Sequence, residues 1–238
     1  MESDSSLAPA TPPDRSDNTA FAPYMTNVAS WFGGMGMQQV LFSWIVVNEL
    51  QATGGWVGVA QTSTLLPGLL VWMVAGALAD RWDPRRLLVG LHLIGAVPVL
   101  ALAGLIWLGR VDLPILIAFG LMVGTVGALS MPARDSLLTR VAGDDLMRGV
   151  TTMTAAQFGA SAVGTLLAGL ARLTGSPFML VVQALVFVVG AGAAARLPPA
   201  RPESLIRGRL RLSEVAGGMA EVARTPALRG PFLLVVAV

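Results

Sequence analysis

Six stretches of this 238-residue chain are long enough to cross a bilayer and carry no Asp, Glu, Lys or Arg: 24–47, 56–79, 87–108, 113–131, 150–170 and 178–195. A helix needs about 20 apolar residues to traverse the hydrocarbon core. The runs are too long for membrane strands and do not alternate polar with apolar, so a β-barrel reading fails. Only 13% of the residues are charged and mean hydropathy is +0.69. Soluble domains carry about 25% charged residues. Lipid is therefore the expected solvent, and the fold class expected is all-α integral membrane.

Several chemistries are excluded at once. There is no cysteine, so disulfides and thiolate metal sites are out, and the single histidine, His92, rules out a multi-histidine metal centre. No nucleophile–base pair is visible and no span holds a charged residue, which argues against a membrane enzyme and leaves no cofactor to expect. The sequence pI is about 10.3, although the net charge is only +2. All the basic residues are arginines, placed in short segments between apolar runs. That pattern predicts membrane orientation rather than a nucleic-acid face.

With the amino terminus in the cytoplasm, every arginine except Arg110 and Arg172 falls inside; the opposite topology reverses the bias. Residues 1–23 read as an acidic, Ser- and Pro-rich disordered cytoplasmic tail, not a cleavable signal. Residues 24–195 form the six-span bundle. Residues 196–230 form a basic cytoplasmic linker, in which Leu212, Val215, Met219 and Val222 recur at helical spacing behind Arg207, Arg209 and Arg211. Two readings of that helix stand side by side: one lying on anionic lipid headgroups, and a solvated connector. The apolar run 231–238 is too short to span, so the chain is expected to end inside a seventh helix.

The second span ends Gly76-Ala77-Leu78-Ala79-Asp80-Arg81, followed by Trp82-Asp83-Pro84-Arg85-Arg86. This resembles the loop between spans two and three of the major facilitator superfamily, with Asp83-Pro84 where many members have Gly-Arg. Further stretches are similar to the enterobactin-exporter-like, transmembrane secretion effector subgroup: Gly36-Met37-Gln38-Gln39-Val40 before Trp44, Leu66-Pro67, Met131-Pro132-Ala133-Arg134 closing span four, and Gly164-Thr165-Leu166-Leu167-Ala168-Gly169. The last resembles the antiporter motif of span five, with Thr165 in place of proline and Gly164 and Gly169 as its glycines.

The resemblance covers the chain from about residue 24 on and matches the amino-terminal half of such a transporter. It implies a six-helix bundle of two inverted three-helix repeats, in the bacterial cytoplasmic membrane, working by alternating access against a carboxy-terminal half that this chain lacks. Ala168-Gly169-Leu170-Ala171-Arg172 faintly echoes the end of span two. The implied function is secondary active efflux of a small amphipathic molecule such as a siderophore, drug or metabolite, coupled to protons. A non-transporting membrane scaffold is the alternative.

The resemblance also assigns roles. Gly76, Asp80, Arg81, Arg85 and Arg86 would form a cytoplasmic gating cluster, with Asp135 a further member; the bland reading is a topological anchor. Asn27 and Gln38, about three helical turns apart on one face, would line the substrate cavity with Gln61, Thr64 and Gln157. Hydrogen bonding between helices is the competing reading. His92 is expected to be packed or interfacial rather than a proton relay. No span holds a carboxylate, so coupling falls to Glu49, Asp80 or the other half. Gly120, Gly124 and Gly127 predict close helix packing within the bundle, and Pro67 and Pro98 predict kinks.

Overall fold

The computed structural model describes residues 17–79, 82–142 and 145–199, and every regular element in them is helical. Helix α1 spans Asp17–Trp44 and passes into a π-helical turn, Ile45–Glu49. It is followed by α2 (Gly54–Ala79), α3 (Pro84–Trp107), α4 (Leu113–Val141), α5 (Leu146–Ala168), the single turn α6 (Ala171–Thr174) and α7 (Ser176–Ala194). The start of the leader, Asp80, Arg81, the linker with its expected amphipathic helix, and the apolar run 231–238 lie outside the described residues.

Aspartates set three of the helix starts. Asp83 accepts from the Arg85 amide at 3.1 Å, Asp112 from the Ile115 amide at 2.9 Å and Asp145 from the Arg148 amide at 3.0 Å. Each satisfies an amide that the first turn leaves unpaired and places negative charge at the positive end of the helix. Pro84 and Pro114 follow in the first turns of α3 and α4, where the missing N–H costs nothing. Gly175, at φ +88°, makes the sharp entry into α7.

Two helices run well past the expected apolar stretches. Helix α1 begins at Asp17, ahead of the expected 24. Helix α4 does not close at Met131 but runs on to Val141 with Pro132 inside it. Beyond the charge-free stretch, Ala133, Leu137, Leu138 and Val141 form a buried stripe while Asp135, Thr139 and Arg140 point outward. Helical spacing of apolar residues carries the helix past the first charges.

Four helical segments are long and apolar enough by themselves to cross a membrane: Pro84–Trp107, Leu113–Val141, Leu146–Thr174 and Ser176–Ala194. Helices α1 and α2 are as long, at 28 and 26 residues, and α1 carries Asn27, Ser30, Gln38 and Gln39, which dilute its hydropathy. The burial pattern is that of a chain in lipid. Asn27, Gln38, His92, Arg134 and Gln183 are buried, while Leu65, Val97, Phe158, Leu166 and Leu185 face outward.

Helix α1 packs against α5 and α7, α2 against α4, and α3 against α7 and α4. Glycines set the closest of these approaches. A Cβ at Gly164 would collide with the Gly33 carbonyl, and one at Gly36 with the Ser161 carbonyl, so α1 and α5 touch backbone to backbone. A Cβ at Gly124 would strike the Thr64 carbonyl, and one at Gly120 the Ser63 hydroxyl. The expected Gly120–Gly124 pair thus packs α4 on α2 within the bundle.

Candidate functional site

Helix α1 is the polar spine of the bundle. Asn27 donates its amide to the Gly190 carbonyl at 3.0 Å and lies 3.2 Å from His92 Nε2. His92 Nδ1 is 2.9 Å from the Leu88 carbonyl. That carbonyl can only accept, so Nδ1 carries the proton and Nε2 accepts from Asn27. Both ring nitrogens are used, and the ring is stacked edge-on to Trp31 at 5.2 Å. His92 is fully buried between α1, α3 and α7, a packed histidine. Farther along, Gln183 of α7 donates to Gln38 Oε1 at 2.7 Å, and the Ser30 hydroxyl donates to the Val186 carbonyl.

The other cavity candidates lie on different faces. Gln61 donates to the Gln39 carbonyl at 3.3 Å and to the Ser43 hydroxyl at 3.1 Å, tying α2 to the carboxy-terminal end of α1. Thr64 sits where α2 meets Gly120 and Gly124 of α4. Gln157 is half-buried on α5. The structure therefore does not gather the five into one cluster: Asn27 and Gln38 bridge to α3 and α7, Gln61 and Thr64 belong to α2, and Gln157 stands apart on α5. In the antiporter-like stretch, Gly164 meets Gly33, Thr165 donates its hydroxyl to the Gly36 carbonyl at 3.3 Å, and Gly169 caps α5.

At the start of α3, Arg85 donates its guanidinium to the carbonyl of Ala195, the C-cap of α7. A cation there meets the negative end of the α7 dipole. Asp83, Arg85 and Arg86 line an opening of about 430 Å3 with Ala195 and Pro199. Asp135 is exposed on α4. Asp80 and Arg81 lie outside the described residues, and nothing of Gly76 beyond its place in α2 is described.

One arginine that the sequence places just past the fourth apolar run is buried between helices. Arg134 is only 1% exposed, inside the α1–α4 contact. Its guanidinium lies 5.4 Å from the Trp31 ring centroid and 5.1 Å from that of Phe32. The Tyr24 hydroxyl donates to the Arg134 carbonyl at 3.1 Å. The signal was present in the sequence: Arg134 stands four and seven residues before Leu138 and Val141, on the apolar stripe that extends α4.

A family model described as transmembrane secretion effector matches residues 15–220. The chain belongs to this family, a branch of the major facilitator superfamily. No curated protein and no solved structure matches it. Membership makes the chain a multi-pass membrane protein of a transporter family, in keeping with its all-helical structure and outward-facing apolar residues. In this transmembrane secretion effector, the Asp–Arg loop between α2 and α3 and the glycine seam between α1 and α5 both fall inside the matched region.

Proposed function

We propose that the chain is the six-span, amino-terminal bundle of a proton-coupled exporter that moves a small amphipathic molecule by alternating access. The observation that carries this reading is the exchange symmetry of the helix pairs. Suppose a two-fold axis in the membrane plane relates α1, α2 and α3 to α4, α5 and α7. The contact of α1 with α5 then maps onto that of α4 with α2, and the contact of α3 with α7 maps onto itself. Those are the pairings of this bundle. The glycines follow the same exchange: Gly33 and Gly36 of α1 meet α5 as Gly120 and Gly124 of α4 meet α2. Inverted repeats of this kind frame a central site that rocks between two openings.

In this reading, Gln61, Thr64 and Gln157 line the path from the start of the cycle. Asn27 and Gln38 join them when α1 parts from α7. The cluster of Gly76, Asp80, Arg81, Arg85 and Arg86, with Asp135 beside it, closes the cytoplasmic side by ion pairs made against an opposing six-helix unit in one state only, which biases the equilibrium between openings. Glu49, at the end of the π-helical turn and hydrogen-bonded by the Ser176 hydroxyl, is a carboxylate placed to take protons at the other face.

The test is transport in inside-out vesicles from cells expressing the full reading frame. Accumulation of a fluorescent amphipathic probe that collapses when the proton gradient is dissipated supports the reading. Accumulation no greater than in vesicles lacking the protein rejects it.

A further inference from the structure

The buried guanidinium of Arg134 is only partly engaged. Nη1 points at the Met131 sulfur, 3.6 Å away, while Nε and Nη2 are buried with no hydrogen-bond partner among the described residues. These two nitrogens form one edge of the guanidinium plane, and their N–H bonds run parallel. That edge is the fork that takes the two oxygens of a carboxylate. A cation left unpaired in a bundle interior is costly, and an arginine at such a place calls for an anion.

We propose that the Nε–Nη2 edge of Arg134 is the receptor for the carboxylate of an amphipathic organic monoacid, the class of molecule that the chain exports; this rests on the export reading above. Charge favours a monoanion. The Asp135 carboxylate already acts on Arg134, and a phosphate dianion would add two further negative charges among the faces of Trp31 and Phe32. Two coplanar oxygens also match the fork better than a tetrahedral group. The Trp31 and Phe32 rings pack against the guanidinium, and the half-buried Phe32 offers apolar surface for the remainder of the acid.

Access needs little rearrangement. Phe32, beside the guanidinium, is half-buried, and Met131, whose sulfur meets Nη1, is 37% exposed, so two of the side chains around Arg134 reach the surface of the bundle. Methionine is unbranched and repacks readily, so Met131 can yield to an arriving ligand. The anchor beneath is firm: the Arg134 backbone is held by the Tyr24 hydroxyl, which also lies 3.1 Å from the Met153 sulfur.

The experiment uses the full chain in lipid nanodiscs, with 1-naphthoate, the neutral 1-naphthamide and 1-naphthyl phosphate as probes. Binding is read from thermal shift and tryptophan quenching. Naphthoate is expected to raise Tm and quench, with naphthamide inactive and naphthyl phosphate weaker. Arg134→Lys keeps the charge but lacks the fork, and is expected to weaken naphthoate by about tenfold. Arg134→Gln should abolish the response. The wild-type comparison of acid with amide needs no variant, so a misfolded mutant leaves the test intact. Equal binding of acid and amide, tighter binding of the phosphate, or no response to the acid overturns the proposal. Vesicle uptake separates the two readings. Acid-selective binding without uptake sinks export and keeps the receptor, and uptake indifferent to Arg134→Lys does the reverse.

Discussion

Thr165 of α5 donates its hydroxyl to the carbonyl of Gly36 on α1, across a seam where Gly33, Gly36 and Gly164 bring two backbones into direct contact. The bond fixes the register of the seam, and the glycines make the approach possible. In lipid, helices associate by such close packing because the tails offer no hydrophobic drive.

The seam gives the first prediction. Gly164→Val sets a branched side chain against the Gly33 carbonyl, which is backbone and cannot swing aside. The overpacking should cost about 1–3 kcal/mol or more. Thr165→Val keeps the shape and loses one hydrogen bond, for about 0.6 kcal/mol. Unfolding in mixed micelles measures both. A Gly164→Val protein as stable as wild type would show that α1 and α5 do not meet there.

Gln38 and Gln183 supply the second. Gln183→Leu removes the donor to Gln38 Oε1 and leaves that buried oxygen unpaired, but it also removes Gln183 Oε1, itself buried without a partner among the described residues, so the cost should be about 1 kcal/mol. Replacing both by Leu removes the orphan as well, so the double variant should lose less than the two singles summed. A double-mutant cycle reads the coupling. Strict additivity would mean that the two amides do not interact.

How far these features were legible in the sequence depends on the physics behind each. The long helices were legible because lipid demands uncharged runs, and 56–79, 87–108 and 178–195 lie close to α2, α3 and α7. The tight packing at Gly120 and Gly124 was legible from spacing alone. The end of α4 was misplaced because Pro132 and Arg134 read as a stop, whereas tertiary burial of Leu137, Leu138 and Val141 carries the helix onward. The partners of Asn27 and Gln38 were not legible. Periodicity shows that two side chains share a face, but not that the face meets His92 and Gln183. Arg134 lies on that same stripe, so its burial follows once α4 is carried past Pro132.

The third prediction concerns the Asp80 loop. If its charge helps close the cytoplasmic side, Asp80→Asn should lower efflux by the full reading frame by about fivefold or more, in line with a coupling of about 1 kcal/mol or more. Insertion into the membrane should be unaffected, since the loop lies outside the apolar runs. Vesicle transport and membrane-fraction blots measure the two separately. Unchanged efflux would leave the loop as a topological anchor.

The fourth prediction fixes which way the bundle faces. Arg110 and Trp82 are both exposed and lie at opposite ends of α3. The chain has no native cysteine, so single cysteines report without background. The arginine bias puts Trp82 in the cytoplasm and Arg110 outside. An impermeant maleimide added to intact cells should therefore label Arg110→Cys and spare Trp82→Cys, with the pattern reversed in inside-out vesicles. Labelling of Trp82→Cys in intact cells would invert the bundle. The Asp80 loop and the basic rim of Arg85 and Arg86 would then face the exterior, where they could not close a cytoplasmic gate.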